Sequence, residues 1–230
     1  MLRYRSAVLG LTMLAAALSA CDTNPSQPFG ATATMQFING ASSGSVNVLV
    51  DGSQVLSNVP SGALSQALIP VGSHAVVVQK VGGAMSVAAT ASFTAHRGLI
   101  VVALDSSGAL NPRVLADTGS IVPAGATKLR VAHLAKNATP ISVWRTQPDF
   151  GTAIRIQFPF HYQDVSPYLQ STPGSWNVMI SSEVLASGSP PMPDTLALTG
   201  LVAVADGFSK TVVVLDGPAA GTVKLIVVDP

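Results

Sequence analysis

Ile100-Val-Val-Ala-Leu-Asp105 is an apolar run that ends in an aspartate, and the fold can be predicted by working outward from it. A short run of β-branched and apolar residues bounded by turn residues is typical of a buried β-strand. The pattern returns as Val212-Val-Val-Leu-Asp216, with one register slip. This recurrence indicates that the chain contains two copies of one β unit.

Segments on both sides of this strand recur in the same order. Gln36–Ala41 matches Arg130–Ala135, Val46–Val48 matches Ile141–Val143, Val71–His74 matches Pro173–Trp176, and Val114–Asp117 matches Ile226–Asp229. The spacing between matching segments increases along the chain, so the second copy carries insertions, which are best tolerated in loops.

Turn residues separate the strands of each copy. Asp51-Gly52 follows Val46–Val50, and Pro60 with Gly62 follows Gln54–Val59, as in β-hairpins. About seven such strands per copy, at intervals of about ten residues, predict a β-sandwich. The chain has 20 Gly, 16 Pro and a single glutamate, Glu183, so long amphipathic helices are not expected. The predicted fold class is therefore all-β.

The repeated unit resembles a known family. Its features are a strand beginning Arg130-Val-Ala-His133, a Val-x-Val strand, an Asp-Gly hairpin, a Val-Pro-x-Gly turn, and Gly-Ser before a Val-rich strand. These features are similar to domain-of-unknown-function family 4397 (DUF4397), over residues 34–118 and again over 128–229. The resemblance implies two tandem immunoglobulin-like β-sandwich domains in an extracytoplasmic setting, and it implies no activity. The second copy departs from the pattern at Trp144-Arg145, so the resemblance does not predict the Asp-Gly hairpin there.

The N-terminus has the pattern of a lipoprotein signal peptide. Arg3 and Arg5 precede an apolar run from Ala7 to Leu18, and Leu18-Ser-Ala-Cys21 follows. The run is shorter than the roughly 20 residues of a membrane span. The last four residues resemble the lipobox of bacterial lipoproteins, which implies cleavage before Cys21 and acyl chains on that residue. Cys21 is the only cysteine, so no disulfide within the chain is expected.

These patterns predict five segments along the chain. Residues 1–20 form the signal peptide, 21–33 the lipidated cysteine with a flexible tether, 34–118 the first β-sandwich, 119–127 a linker, and 128–230 the second β-sandwich. The tether prediction rests on a polar, turn-rich composition without apolar periodicity.

The charge balance argues against a nucleic-acid partner. Cleavage before Cys21 removes two of the 12 Lys and Arg residues and none of the 11 acidic residues. The mature protein then has no basic surface stripe with which to neutralise phosphates. The expected partners are the membrane, through acyl chains on Cys21, and an envelope protein or glycan.

Two features of the sequence bear on catalysis and metal binding. Gly40-Ala-Ser-Ser-Gly44 matches the G-x-S-x-G pattern of serine hydrolases, but the pattern needs a strand-to-helix turn, and here it lies between two predicted strands. His74, His96, His133 and His161 show no metal-binding spacing. No catalytic residue, metal site or cofactor is predicted.

Aromatic residues are concentrated in the second copy. Rings and donor side chains alternate over residues 144–162, a combination found on sugar- and protein-binding faces. The candidate binding surface comprises Trp144, Arg145, Phe150, Arg155, Phe160 and Tyr162. In the alternative interpretation, Phe158, Phe160 and Trp176 fill the core of the second sandwich.

The sequence favours a non-enzymatic, lipid-anchored protein of the cell envelope that acts as a binding or spacer module. It would lie at the outer membrane or at the periplasmic face of the inner membrane. Two alternatives stay open: an envelope enzyme that acts on glycan or peptide with a site between the repeats, and a structural subunit that assembles by strand pairing.

Overall fold

A computed structural model of the protein describes residues 30–83, 85–94, 98–106, 109–116, 122–138, 140–146, 154–182, 195–198 and 202–229. Within these ranges the regular elements are seventeen β-strands, and none is a helix. The predicted all-β fold class is confirmed. Consistent with this, no helix among the described residues has the length and apolar character to cross a membrane. The predicted signal peptide and Cys21 lie outside the described residues.

The first copy contains eight strands. They are β1 (Thr32–Asn39), β2 (Val46–Val50), β3 (Ser53–Val59), β4 (Leu64–Pro70), β5 (Gly72–Lys80), β6 (Met85–Phe93), β7 (Gly98–Ser106) and β8 (Ala109–Leu115). They form two four-stranded sheets with the orders β4-β1-β7-β8, called here inner sheet 1, and β3-β2-β5-β6, called outer sheet 1. Strands β1 and β7 pair in parallel, and the other neighbours are antiparallel.

The second copy repeats this arrangement. Its strands are β9 (Thr127–His133), β10 (Ile141–Thr146), β11 (Ile154–Phe160), β12 (Leu169–Ser171), β13 (Gly174–Ser182), β14 (Thr195–Leu198), β15 (Val202–Val204), β16 (Ser209–Asp216) and β17 (Val223–Val228). Inner sheet 2 has the order β12-β9-β16-β17, and outer sheet 2 has the order β11-β10-β13-β14. Strand β15 also pairs with β13, so β14 and β15 together take the place of β6. Strands β10 and β11 pair antiparallel at the place where the family pattern left a hairpin unpredicted, and residues 147–153 between them lie outside the described ranges.

Each copy is thus a two-sheet β-sandwich, as predicted. The strand order is not that of constant-type immunoglobulin domains, in which the first, second, fourth and fifth strands share a sheet. Here the first and fourth strands share a sheet with the last two. The immunoglobulin-like part of the prediction stays a prediction.

The strands begin slightly earlier than the expected domain limits of 34 and 128. Strand β1 begins at Thr32 and β9 at Thr127, and the side chains of Ala33 and Thr127 are both buried. Strand residues therefore already occur within the segments expected to be the tether and the linker, and the flexible tether itself stays a prediction.

The two sandwiches pack against each other through their inner sheets. The sandwich cores lie between the sheets of each copy, and a third apolar cluster, called here the seam, joins the copies. The seam consists of Ile38, Ile100, Val102, Leu104 and Leu115 from the first copy and Ala132, Leu134, Val213, Leu215 and Val228 from the second. The molecule is therefore a stack of four sheets in the order outer 1, inner 1, inner 2, outer 2.

The seam explains why residues 100–104 of β7 are all apolar and do not alternate with polar residues. Val101 and Ala103 point into the first sandwich core, whereas Ile100, Val102 and Leu104 point into the seam. Successive side chains of a strand face opposite sides of the sheet, so a strand covered on both sides needs apolar residues at every position.

The two halves of the seam are related by an approximate two-fold symmetry. Gln36 Nε2 donates a hydrogen bond to the Asp229 carbonyl, beyond the end of β17. Arg130, which matches Gln36, donates from Nη1 to the carbonyl of Ala116 at 2.7 Å, and Ala116 is the first residue beyond β8 as Asp229 is the first beyond β17. Such reciprocal contacts are those of an isologous interface.

These contacts also set the direction of the strands. Gln36, in the middle of β1, lies beside the end of β17, which is paired with the start of β16. Gly40, just after β1, lies against Leu215 late in β16. Strands β1, β7, β9 and β16 therefore run in the same direction. We call the end where they start, near Thr32, the tether end, and the end where they finish, near Asn39 and His133, the loop end.

Candidate functional site

A polar groove lies on the seam at the loop end. It consists of two adjoining concavities of about 420 Å³ and 140 Å³ that share Gly40, Ser42 and Asp216. The larger is completed by Ser61, Gly62, Leu215, Gly217, Pro218 and Lys224. The smaller is completed by Leu104, Asp105, Leu134, Lys136, Asn137 and Tyr162. Both sandwiches supply walls of this seam groove, so the groove exists only where the two copies meet.

Two equivalent aspartates hold the loops that form the groove. Asp105 follows the apolar core of β7, and its Oδ2 accepts hydrogen bonds from Ser42 N at 2.7 Å and Ser42 Oγ at 2.6 Å. Asp216 ends β16 and accepts from Lys136 N at 3.2 Å and Asn137 N at 2.8 Å. Each aspartate thus fixes the loop that follows the first strand of its own sandwich.

The carboxylate of Asp105 stays ionised although it is partly buried. Burial raises the pKa of Asp105, but hydrogen bonds from Ser42 and Ser43 outweigh that effect and leave the pKa below its ordinary value. The groove therefore keeps a negative charge at this point at neutral pH.

A tight turn positions Tyr162 at the groove. Asp164 N donates to the His161 carbonyl at 3.0 Å, and His161 N donates to Asp164 Oδ2 at 2.7 Å. Gln163, at a positive φ of 73°, donates from its backbone nitrogen to the His133 carbonyl at 2.7 Å. These bonds tie the turn to β9, so the half-buried Tyr162 is held beside the seam.

A hydrogen bond between the two copies closes one wall of the larger concavity. Lys224 Nζ, from the second sandwich, donates to the Gly62 carbonyl of the first at 2.7 Å. Ser61 Oγ donates to the Ala41 carbonyl at 2.5 Å and thereby holds the neighbouring turn. The hydroxyl oxygens of Ser42 and Ser61 retain their capacity to accept hydrogen bonds.

The structure corrects the predicted binding surface at two of its aromatic positions. Phe160 has 2% of its surface exposed and belongs to the second core, where its ring stacks on His133. Trp144 has 6% exposed, and its Nε1 donates to Ser181 Oγ at 2.9 Å. Both rings are almost completely buried, so neither presents an open face to a partner. Phe160 fills the second core, whereas Trp144 follows the core residue Val143 in β10 and therefore lies on the opposite face of outer sheet 2. Phe150 lies outside the described residues.

The remaining predicted residues lie at opposite ends of the molecule. Tyr162 is in the seam groove, whereas Arg145 and Arg155 lie towards the tether end. Arg145 stacks on Trp176, with Cζ 4.0 Å from the ring centroid, and its Nη1 donates to Ser171 Oγ. Burial lowers the pKa of Arg145 from its ordinary value. The exposed Arg155 lies 5.7 Å from the Trp144 ring centroid. The predicted set therefore does not form one surface.

The G-x-S-x-G segment joins β1 to β2, as a strand-to-strand loop. The hydroxyl of Ser42 donates to the carboxylate of Asp105 and not to a histidine or lysine. Of the histidines that the structure describes, His74 contacts Asp51, His133 stacks on Phe160, and His161 contacts Asp164. A nucleophile elbow needs a strand-to-helix turn and an adjacent base, and this loop follows a different pattern.

His74 and Asp51 form a separate pair at the tether end. His74 Nδ1 lies 2.6 Å from Asp51 Oδ2 and Nε2 lies 3.0 Å from the Pro70 carbonyl, while Ala75 N donates to Asp51 Oδ1 at 2.9 Å. The hydrogen bonds from His74 and then Ala75 lower the pKa of Asp51. The pair joins the Asp51-Gly52 hairpin to β5. Throughout the described ranges, no three His, Cys, Asp or Glu side chains are grouped so that they could hold a metal ion.

Sequence reasoning identified Tyr162 but missed the rest of the groove. The sequence did contain a signal for Asp105 and Asp216, since each ends the same repeated apolar run, Ile100–Asp105 in the first copy and Val212–Asp216 in the second. Nothing in the spacing connects Ser42, Lys136 and Lys224, because packing of the two copies brings them together.

The comparison with protein families gives one match. The family described as "Domain of unknown function (DUF4397)" matches residues 33–144, which span the first sandwich and continue through β9 to Trp144. The recognition of this family from the sequence is confirmed over these residues. No curated protein is significantly similar to the chain.

Proposed function

We propose that this protein, which carries a DUF4397 domain over residues 33–144, is a lipid-anchored cell-envelope protein that acts as a rigid, non-enzymatic binding module. The observation that carries the proposal is the seam. Ten buried apolar residues join the two sandwiches face to face, so the pair forms one body rather than two domains on a flexible linker.

The position of the tether supports this role. The described chain begins at Gly30, beside β1, and the Val71 nitrogen donates to the Ala31 carbonyl at 2.8 Å. A lipid on Cys21 would therefore hold the tether end towards the membrane. Strand β1 has eight residues, which corresponds to about 26 Å at 3.3 Å per residue. The seam groove would then face away from the membrane.

The residues of the groove favour binding over catalysis. Ser42 and Asp105 satisfy each other, and both carboxylates of the groove accept backbone or hydroxyl donors of neighbouring loops. General acid–base or nucleophilic catalysis needs a side chain poised to exchange a proton with substrate. Among the described residues of the groove, Asp105 and Asp216 hold neighbouring loops through hydrogen bonds, and Lys224 binds the Gly62 carbonyl.

Lipid attachment is tested with the full chain in a bacterial host grown with an alkyne-bearing fatty acid. We expect the label on the protein in the membrane fraction, and loss of both label and membrane association in Cys21→Ser. Since Cys21 is the only cysteine, the variant removes the one candidate thiol. Ser19→Ala is the matched control and should keep the label. Unlabelled protein in the soluble fraction would refute the anchoring.

A further inference from the structure

We propose that the seam groove is a binding site for a neutral oligosaccharide. This inference rests on the proposed function, because it assigns a ligand class to the binding module. It is carried by the charge, shape and position of the groove.

The charges of the groove cancel. Two carboxylates, Asp105 and Asp216, face two ammonium groups, Lys136 and Lys224. A site for an anion such as phosphate gathers positive charge, and a site for a cation gathers negative charge. Alternating donors and acceptors without net charge match a ligand whose polar groups are hydroxyls, which both donate and accept.

The groove is also amphipathic. Leu104, Leu134 and Leu215, which belong to the seam, lie beneath a rim of hydroxyl, amide and charged groups. A sugar ring has apolar C–H faces and polar hydroxyls around its edge, so it fits apolar contacts below and hydrogen bonds at the side. Tyr162 supplies a ring and a phenol at one end, a combination suited to such ligands. The larger concavity of about 420 Å³ falls within the usual range for ligand sites, about 300–1,000 Å³.

An extended peptide is the less suitable ligand. Peptides commonly bind by adding a strand to a free sheet edge, where backbone groups lie unpaired. The described walls of the groove consist mostly of loops and strand ends. Strands β1, β7, β9 and β16 are paired on both sides, and the edge strand β17 contributes only Lys224, near its start. The groove therefore offers side-chain contacts rather than a backbone ladder.

The inference is tested with the full chain, purified in detergent if it is lipidated and from the soluble fraction if it is not. The protein is applied to a glycan array that carries neutral, acidic and basic oligosaccharides, together with a peptide array, and any hit is titrated by calorimetry. We expect saturable binding to neutral oligosaccharides. Lys136→Ala and Tyr162→Ala should each weaken it about tenfold or more, as expected for a lost hydrogen bond or ring contact.

Lys80→Ala provides the matched control, since Lys80 is an exposed lysine on β5 in outer sheet 1. Tyr162→Phe, which keeps the ring, should lose less affinity than Tyr162→Ala. Thermal unfolding of each variant shows whether the fold is retained, and Tyr162→Phe provides the test if Tyr162→Ala does not fold.

Three outcomes would overturn the inference: no neutral glycan bound, binding unchanged in Lys136→Ala and both Tyr162 variants, or binding confined to charged glycans or peptides. Failure of lipid labelling leaves these readouts intact because the groove lies at the loop end. The anchoring and the ligand class are thus tested separately.

Discussion

Gly40→Ala tests whether the seam is as closely packed as the structure indicates. A Cβ at Gly40 would lie 2.8 Å from Leu215 Cδ2 in the second sandwich and 2.9 Å from the Ala103 carbonyl oxygen in the first. Both distances are shorter than van der Waals contact, and the carbonyl belongs to the paired strand β7, so it cannot move aside. Overpacking of this kind costs about 1–3 kcal/mol. For a chain of this size, that loss corresponds to a fall in Tm of about 2–12 °C.

The free energy of unfolding is measured by urea titration of the wild type and the variant. Gly30→Ala is the control, because a Cβ at Gly30 meets nothing within 4 Å. The Gly40→Ala/Leu215→Ala double variant should be less destabilised than the sum of the single changes, by about 0.5–3 kcal/mol, since the added methyl enters space left by the leucine. If Gly40→Ala is as stable as Gly30→Ala, the argument for a close seam at this position fails.

Three further predictions concern particular contacts. Because the hydrogen bonds from His74 and Ala75 lower the pKa of Asp51 from its ordinary value of 3.8, the carboxylate stabilises the fold at higher pH, and this contribution disappears as the pH falls through the lowered pKa. Asp51→Asn should therefore be less stable than the wild type at about pH 7, with a difference that shrinks below about pH 4, and a difference that stays constant in urea titrations would contradict the pairing. Phe160→Ala should lower the free energy of unfolding by about 3–5 kcal/mol, because Phe160 fills the second core. A loss below about 1 kcal/mol would contradict the burial of this ring. Asp216→Ala should accelerate hydrogen exchange at the Lys136 and Asn137 amides and leave those of Ser42 and Ser43 unchanged, since Asp105 holds the latter pair; equal acceleration in both loops would show that the effect is not local.

The strands that the sequence predicted best are those with strong apolar runs. Val-rich segments bounded by turn residues predict four strands that the structure contains, namely β2, β5, β7 and β16. Strand β4, Leu64–Pro70, was missed because it is an edge strand with mixed composition. Exposed Leu64 and Leu68 alternate with partly buried positions, and a terminal proline is tolerated at an edge.

The aromatic residues were harder to interpret because composition does not identify the face of a strand. Trp144 and Arg145 are adjacent in β10, so their side chains point to opposite sides of outer sheet 2. Phe160 ends β11 on the core side, next to Ile141 of β10. A concentration of rings next to arginines is compatible with a surface and with a core, and only the strand register decides between them.

The seam groove could not be predicted from spacing because its parts come from distant segments of two similar copies. Ser42 and Asp105 are 63 residues apart, and Lys224 and Gly62 are 162 apart. The repeat itself was readable, but a repeat does not reveal which faces of the two copies meet. The apolar residues at every position of β7 could have indicated the packing, since they require that both faces of its sheet be covered.

The seam also explains why the unit occurs here as a pair. Without the second sandwich, Ile38, Ile100, Val102 and Leu104 would form a contiguous apolar patch on inner sheet 1, which in an isolated soluble domain favours association. The second copy covers that patch with its own matching face, and the reciprocal bonds of Gln36 and Arg130 fix the register at the tether end. Because the strands of both copies then run in the same direction, their equivalent loops emerge side by side at the opposite end. The groove is therefore a geometric consequence of pairing two like faces, and sequence differences between the copies, such as Ser42 against Lys136, determine what it can bind.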